Sequence, residues 1–333
     1  MSPALARAIA REAEAKGGMS PELPGRVYER ARAADRRARR AGAVYYTPPH
    51  LVDFAIDRAL GPLLAEADPL AVRVLDPACG GGVFLLAALD RLAAAGGDRL
   101  AVLRGCLRGI DIDPQAAAVA RMALGVAVPE ATAADLARAV VVADALEPGS
   151  AAAGGFDAVV TNPPWGQKRF ALPVEKRRRY RALYASARGA IDPFALFVER
   201  AHVLLRPGGR WGMVLPDVVL LKNHEPLRAL VLAGSEIEWI AHAGRAFDGV
   251  NLDAVVMTGR RVPAPGARHR VSIWHSLPAR GRAAPPPTRR QAQAVFARLP
   301  GRRFNLHLDP GDLALLDRLA RFPALGDRFE IHE

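Results

Sequence analysis

Residues 73–84 read Arg-Val-Leu-Asp-Pro-Ala-Cys-Gly-Gly-Gly-Val-Phe. A short apolar run ends in Asp76, a glycine-rich turn follows, and an apolar pattern with helical spacing extends over 84–95. This order is typical of a β-strand that enters a helix through a tight turn. Glycines allow positive φ and the close approach of a ligand, and their spacing is not the dinucleotide pattern Gly-x-Gly-x-x-Gly. A tight turn that binds nothing is the structural alternative.

Strands and helices alternate on both sides of this turn. The predicted strands are 73–76, 107–111, 139–142, 156–161, 210–215, 237–241 and 254–258, and the predicted helices include 51–60, 84–95, 114–124 and 192–205. The alternation predicts an α/β fold with an open, mostly parallel seven-stranded sheet, helices on both faces, and a C-terminal antiparallel hairpin. Active sites of such sheets lie at the carboxyl ends of the strands.

Composition limits the classes of function. The chain has 333 residues, is 50% hydrophobic and carries a net charge of +12. This charge favours a polyanionic partner, nucleic acid before membrane, although an Arg-rich proteome produces the same surplus. The two cysteines, Cys79 and Cys106, indicate neither a disulfide framework nor a metal site, which favours a cytoplasmic location. No membrane span and no signal peptide are expected.

Composition also predicts three segments. Residues 1–41 are expected to form a basic helical N-terminal extension of one or two exposed helices, with arginines clustered at 36–40 that suit either solvent or a nucleic-acid backbone. Residues 42–260 hold the alternating strands and helices. Residues 261–333 are expected to be a Pro- and Gly-rich linker around a strand at 270–274, followed by helices near 289–298 and 310–321. A strand pattern at 328–333 predicts that more protein follows.

Three carboxylates follow successive predicted strands. Asp76 ends the first strand, Asp111 ends the second, and Asp144 follows the third. The first suits a cationic ligand, the second can accept from both hydroxyls of a ribose, and the third can accept from an exocyclic amino group. Asp113 is instead expected to be a helix N-cap, because Pro114 follows it. Each acid alone could be a cap, but three in this order indicate a binding site.

Residues 161–166 read Thr-Asn-Pro-Pro-Trp-Gly directly after an apolar run. The pattern predicts a rigid, carbonyl-rich loop that can hold a planar NH₂ group while it attacks an electrophile. Asn162 offers a side-chain carbonyl, Pro163 offers a backbone carbonyl with no N–H of its own, and Trp165 offers a flat face. A Pro-Pro turn after a buried strand is the structural alternative.

A Thr-Pro motif precedes the first strand, in Tyr-Tyr-Thr-Pro-Pro at 45–49. Thr47 is expected to cap the helix predicted at 51–60, with proline at the helix start. A capped helix N-terminus also binds a carboxylate, so the structural and the binding interpretation are compatible.

Together these motifs resemble the gamma class of adenine-N6 DNA methyltransferases of restriction-modification systems, of type II and type IIG-like enzymes. The order matches that class: Tyr-Tyr-Thr-Pro at 45–48, Asp-Pro-x-Cys-Gly-x-Gly at 76–82, Gly-Ile-Asp-Ile-Asp-Pro at 109–114, Ala-Asp-Ala-Leu at 143–146 and Asn-Pro-Pro-Trp at 162–165. The resemblance covers residues 40–260. Within it, the segment 207–216 looks like the fifth-strand segment of the class, and the segment 246–253 looks like its hairpin. Trp165 departs from the commonest pattern, in which Tyr or Phe is usual.

The resemblance implies a Rossmann-like, S-adenosylmethionine-dependent methyltransferase fold. It implies transfer of a methyl group from S-adenosyl-L-methionine to the N6 amino group of a flipped adenine in double-stranded DNA, by direct in-line attack and without a metal. Residues 42–260 would be the methyltransferase domain, and 261–333 would lead to a target-recognition domain that is missing.

The resemblance also implies a set of site residues. The expected catalytic residues are Asn162, Pro163, Pro164 and Trp165, and the target base is expected to stack on Trp165 and Phe247. The expected cofactor-binding residues are Tyr46, Thr47, Asp76, Ala78, Gly80, Asp111, Ile112, Asp144, Ala145 and Asn162. For Phe247, a core aromatic between two strands is the alternative.

Three other functions stay open at this stage. A protein-glutamine methyltransferase uses the same Asn-Pro-Pro loop, an RNA base methyltransferase suits the same charge, and a truncated module that binds only cofactor or partner fits the ending at Glu333. A nuclease or recognition domain, in trans or beyond Glu333, is an expected partner.

Overall fold

A computed structural model describes residues 1–34, 47–149, 154–166, 172–189, 191–221, 223–247, 253–277, 286–319 and 321–322. The strands are β1 (Val74–Asp76), β2 (Leu107–Asp111), β3 (Val140–Val142), β4 (Phe156–Thr161), β5 (Leu205–Pro216), β6 (Ser235–Gly244), β7 (Ala254–Arg261), β8 (Arg270–Trp274) and β9 (Arg289–Ala292). The helices are α1 (Pro3–Ala15), α2 (Leu23–Ala34), α3 (Pro49–Leu64), α4 (Val83–Ala94), α5 (Arg99–Gly105), α6 (Pro114–Ala127), α7 (Ala133–Ala139), α8 (Val174–Leu183), α9 (Pro193–Leu204), α10 (Val218–Leu221), α11 (Glu225–Gly234), α12 (Gln293–Arg298) and α13 (Pro310–Leu319).

The described strands form one sheet in the order β3-β2-β1-β4-β5-β7-β6-β8-β9. Strands β1 to β5 are parallel to one another, and β7 is antiparallel to both β5 and β6. The consecutive strands β6 and β7 pair antiparallel, which confirms the predicted hairpin. The central strands end at one edge of the sheet, where parallel strands place their ligand sites.

Alternate residues of the central strands pack against helices on opposite faces, as the strand period of two requires. Val74 and Val160 belong to the core beneath α3 and α4. Leu75 and Val159 belong to the core that includes Phe194 of α9. Helices therefore cover both faces of the sheet, as the sequence predicted.

The sheet differs from the prediction at its C-terminal side, where it has nine strands rather than seven. The short strand expected at 270–274 joins the sheet as β8, parallel to β6. The helix expected near 289–298 is wrong in its first turn, because Arg289–Ala292 pairs with β8 as an antiparallel strand before α12 begins. The strand predicted at 328–333 lies outside the described residues.

The N-terminal helices are less exposed than the sequence predicted. One face of α1 and α2 is buried against α6, through Leu5, Ile9, Leu23, Val27 and Tyr28. The arginine cluster at 36–40 lies outside the described residues. In the part of the chain that is described, no helix combines the length and the apolar character needed to cross a membrane.

The glycine-rich turn between β1 and α4 allows α2 to approach closely. Gly82 has φ +89° at the start of α4, a conformation that glycine adopts without strain. A Cβ added to Gly81 would lie 2.7 Å from the Cα of Gly25 in α2. Two glycines therefore place α2 directly on the turn at the carboxyl end of β1.

Candidate active site

A cavity of about 260 Å³ opens at the carboxyl ends of β1, β2 and β4. The structure brings to its walls the predicted residues Thr47, Asp76, Ala78, Gly80, Asp111, Ile112, Asp144, Ala145, Asn162, Pro163, Pro164, Trp165 and Phe247. Tyr46 lies outside the described residues. Residues from all five motifs, together with Phe247, thus meet in one pocket, because the strand order places the strand ends side by side.

The side chain of Asn162 is held by the Thr-Pro motif. Its Nδ2 donates a hydrogen bond to Thr47 Oγ1 at 3.0 Å. The prediction that Thr47 caps the following helix is wrong, because the N-cap of α3 is Pro48 and no side chain caps this helix. Its Oδ1 is buried and has no hydrogen-bond partner among the described residues. A buried acceptor without a partner is costly, so this oxygen is suited to receive a donor from a ligand in the cavity.

The loop that follows Asn162 is fixed at its other end. The N–H of Gly166 donates to Asp192 Oδ1 at 3.2 Å, just before α9. Asp192 is buried, and this burial raises the pKa of its carboxyl to about 6. Between the two anchors, the rings of Trp165 and Phe247 meet edge to face, with centroids 5.0 Å apart and an interplanar angle of 84°.

Asp111 organises the glycine-rich turn at the end of β2. Its Oδ2 accepts the N–H of Gly80 and its Oδ1 accepts the N–H of Asp113, both at 2.8 Å. Burial nevertheless raises the pKa of Asp111 above its ordinary value. Asp113 accepts the N–H of Gln115 at 2.8 Å, which confirms its prediction as the N-cap of α6.

Asp76 is the most buried acid of the cavity, with 1% of its surface exposed. Its Oδ1 accepts the N–H of Ala78 at 3.1 Å. Burial raises the pKa of Asp76 to about 7, which means that a cation in the cavity would favour its ionised form.

Asp144 contacts two side chains that the sequence analysis missed. Its Oδ1 accepts the N–H of Leu146 at 3.1 Å, and its Oδ2 accepts the hydroxyl of Tyr180 at 2.7 Å. The ammonium of Lys176 forms an ion pair with the same Oδ2. Lys176 and Tyr180 are four residues apart and share one face of α8. That spacing is visible in the sequence, but no motif marks it.

Helix α2 supplies three further cavity residues without any sequence signal. Tyr28 donates to Asp113 Oδ2 at 2.9 Å, and Arg32 forms an ion pair with the same oxygen at 3.3 Å. Glu29 lies beside them with 5% of its surface exposed. These residues come from the segment that the sequence predicted to be an exposed extension.

Residues 20–256 match the protein family described as N-6 DNA Methylase. The chain is 32% identical over 223 residues to Type II methyltransferase M.TthHB8I of Thermus thermophilus, which is 65% of this chain and 44% of the relative. It is 31% identical over 208 residues to Type II methyltransferase M.PaeR7I of Pseudomonas aeruginosa. This alignment covers 57% of this chain and 34% of the relative. The chain therefore spans less than half the length of these curated relatives.

Solved structures share the fold. The type IIG restriction endonuclease BpuSI superposes with a TM-score of 0.56 at 20% identity, over 76% of this chain and 28% of the other. The chain of a DrdV-DNA complex superposes with a TM-score of 0.57 at 18% identity, over 78% of this chain and 30% of the other. A Listeria monocytogenes protein described as a class I S-adenosylmethionine-dependent methyltransferase superposes with a TM-score of 0.54 at 16% identity, over 78% of this chain and 74% of the other.

These likenesses confirm the predicted fold class, with a strand count that differs slightly. The family match spans most of the sequence and includes all the predicted site residues, from Tyr46 to Phe247. The chain belongs to the N-6 DNA Methylase family.

Proposed function

We propose that this chain carries the catalytic domain of a site-specific DNA methyltransferase that modifies the N6 amino group of adenine. The observation that carries the proposal is the buried Oδ1 of Asn162, an acceptor without a partner among the described residues, in a cavity that Trp165 and Phe247 also line. Membership in the N-6 DNA Methylase family supports the same assignment.

The cavity walls fit S-adenosyl-L-methionine, which supplies an electrophilic methyl group when bound. Asp111 would accept the ribose hydroxyls, and Asp144 would accept from the adenine amino group, with Ala145 beside it. Ile112, an apolar side chain that is 62% exposed, would pack on the adenine ring. The spare acceptor capacity of these carboxylates matches a ligand rich in N–H and O–H donors.

The other end of the cofactor would lie along β1 and α3. Asp76, Ala78 and Gly80 line the cavity there, and the carboxyl of Asp76 suits a cation. Thr47 lines the cavity two residues before the first residue of α3, near the positive end of the helix dipole. The positive end of this dipole would attract the carboxylate of the methionyl part.

The chemistry of transfer would rest on two acceptors. Asn162 Oδ1 and the carbonyl of Pro163 would accept the two hydrogens of the target amino group. Both hydrogen bonds draw the nitrogen lone pair out of conjugation with the ring and direct it along the line of attack. Pro163 and Pro164 keep the loop rigid because proline fixes φ. The gain in rate would come from positioning and preorganised electrostatics.

The aromatic pair would receive the target base. An adenine within a duplex presents its amino group to the pairing partner, so it must be flipped out before transfer. Trp165 and Phe247 stand at right angles at the cavity, so the base would stack on one ring and meet the edge of the other.

The cysteines have no place in this mechanism. Burial raises the pKa of both Cys79 and Cys106 above the ordinary value of a thiol. Both thiols are therefore protonated at neutral pH and are poor nucleophiles. Direct transfer needs no covalent intermediate.

Duplex DNA is the proposed partner. The net charge of +12 favours a polyanion. Helix α8 presents the exposed Arg177, Arg178 and Arg181 next to the cavity wall, where they would contact phosphates. One structural neighbour, DrdV, was solved in complex with DNA. Recognition of a specific sequence would need a further domain, in trans or beyond Glu333.

The substrate class is tested by offering labelled S-adenosyl-L-methionine with unmethylated duplex DNA, structured RNA or an unfractionated protein mixture in parallel. The proposal expects label in DNA, recovered as N6-methyladenine after digestion to nucleosides. Label in RNA or in protein glutamine, with DNA unlabelled, would contradict it.

A further inference from the structure

Helix α2 forms part of the cavity wall and is held there in a defined position. The close approach of Gly25 to Gly81 leaves no room for a side chain between α2 and the glycine-rich turn. The hydroxyl of Tyr28 donates to Asp113 at 2.9 Å and fixes α2 to the start of α6. The side chains of α2 that face the cavity therefore have defined positions.

Glu29 is the acidic residue of α2 that these contacts leave with an unsatisfied buried oxygen. Its side chain is 5% exposed and faces the cavity. Its Oε1 lies 3.8 Å from the position of a Cβ added to Gly80, and its Oε2 is buried without a hydrogen-bond partner among the described residues. A buried carboxyl group without a hydrogen-bond partner destabilises the folded protein unless a ligand binds to it.

We propose that Glu29 binds the α-ammonium group of the methionyl part of S-adenosyl-L-methionine, so that α2 closes the cofactor pocket. The inference rests on the proposed function, because it takes the cofactor from it. It adds a binding residue outside the five motifs that the sequence analysis identified.

The chemistry of the neighbours selects the ammonium group. Asp111 lies where the ribose hydroxyls are expected, and Asp144 where the adenine amino group is expected. Glu29 faces Gly80, on the methionyl side of the turn. The ammonium group has three N–H donors and a full positive charge, which a desolvated carboxylate pairs with strongly.

The charges around the cavity agree with a cationic ligand. Among the described residues that line it, the acids are Glu29, Asp76, Asp111, Asp113 and Asp144, whereas the cations Arg32 and Lys176 are paired with Asp113 and Asp144. Burial raises the pKa of Glu29 to about 8. The free protein therefore holds Glu29 largely neutral at pH 7, and an ammonium ligand would ionise it.

The test compares two ligands that differ in the amino-acid part. S-Adenosylhomocysteine carries the α-ammonium group, and 5′-methylthioadenosine keeps the adenine and ribose but lacks it. Both ligands are titrated calorimetrically into wild type and into Glu29→Gln. The affinity for S-adenosylhomocysteine is expected to be about 10- to 100-fold lower in Glu29→Gln than in wild type, as for a lost charge-assisted hydrogen bond. The affinity for 5′-methylthioadenosine should be unchanged.

Glu14→Gln is the matched control, because Glu14 is exposed on α1 and does not line the cavity. It should bind both ligands as wild type does. Equal losses for both ligands in Glu29→Gln, or no loss for either, would overturn the ammonium assignment. Failure of wild type to bind either ligand would instead overturn the proposed function, and the inference with it.

A second measurement uses wild type alone and does not depend on the folding of a variant. Titrations at pH 7 in buffers of different ionisation enthalpy report the protons released on binding. S-Adenosylhomocysteine should release more protons than 5′-methylthioadenosine, because only the former carries the ammonium group that ionises Glu29, and any release from Asp76 would add to the same excess. Equal release by the two ligands would contradict the inference.

Discussion

The side-chain nitrogen of Asn162 donates to the hydroxyl of Thr47 at 3.0 Å, across 115 positions of sequence. A side-chain amide presents nitrogen and oxygen on opposite sides, so this contact orients Oδ1 away from Thr47. The Thr-Pro motif and the Asn-Pro-Pro loop therefore act together, and Thr47 becomes a positioning residue for the proposed acceptor.

Thr47→Val removes the hydroxyl and keeps the shape of the side chain. We expect kcat for methyl transfer to fall about tenfold or more, because a lost hydrogen bond of about 1.5 kcal/mol frees the amide to rotate. The affinity for S-adenosylhomocysteine should change little, since the substitution leaves helix α3 and its dipole in place. Thr47→Ser should restore the rate. A parallel loss of cofactor affinity in Thr47→Val would indicate a binding role instead.

Asp111→Asn tests the ribose subsite. Asp111 accepts two backbone N–H groups at 2.8 Å, and an amide can accept at only one of the two positions. We expect titration calorimetry to show an affinity for S-adenosylhomocysteine reduced by about 10- to 100-fold. The exposed Asp90→Asn serves as control and should bind normally. Unchanged affinity in Asp111→Asn would count against the ribose role.

Tyr180→Phe tests whether α8 prepares the adenine subsite. The variant removes the hydroxyl that donates to Asp144 at 2.7 Å and leaves the ring in the core. We expect the affinities for S-adenosylhomocysteine and 5′-methylthioadenosine to fall by the same factor, about three- to tenfold, because both ligands carry adenine. A loss confined to S-adenosylhomocysteine would place Tyr180 near the amino-acid part and refute this assignment.

Glu29 should also make the stability of the ligand-free protein depend on pH. Its pKa is about 8 in the folded protein against 4.5 for the exposed group, so the folded state binds the proton more tightly. The resulting stability is complete below about pH 4.5 and is lost as the pH rises through 8. Between pH 6 and pH 8.5 the melting temperature of wild type should fall more steeply than that of Glu29→Gln.

Glu14→Gln, measured by the same thermal unfolding, should follow the wild-type curve. Asp76 has a raised pKa in all three proteins and so contributes equally to each slope. Equal slopes for wild type and Glu29→Gln would show that Glu29 is not a strongly desolvated acid in solution.

The site residues that could be predicted from the sequence lie in short motifs directly after the strands. Asp76, Asp111 and Asn162 follow directly from such runs, because strand, turn and acid or amide are adjacent in sequence. Glu29 and Tyr180 were not predictable, because each reaches the cavity from a helix whose place depends on packing against distant residues. Glycines at 25 and 81 allow the approach of α2, but nothing in the sequence pairs them.

The sheet shows the same division. The strands from β1 to β7 were predicted by their apolar runs and turns. The segment Arg289–Ala292 has a polar, helix-like composition, yet it forms β9 because β8 offers it an open edge. Strand formation there depends on the tertiary neighbour rather than on local preference.

The most direct test of the central claim is the formation of N6-methyladenine by wild type and by Asn162→Ala. Unmethylated duplex DNA is incubated with labelled S-adenosyl-L-methionine, digested to nucleosides and separated, and the affinity of each protein for S-adenosylhomocysteine is measured alongside. The account predicts labelled N6-methyladenine with wild type, and loss of nearly all label with Asn162→Ala at unchanged affinity. Label in another nucleoside, or undiminished label with the variant, would contradict it.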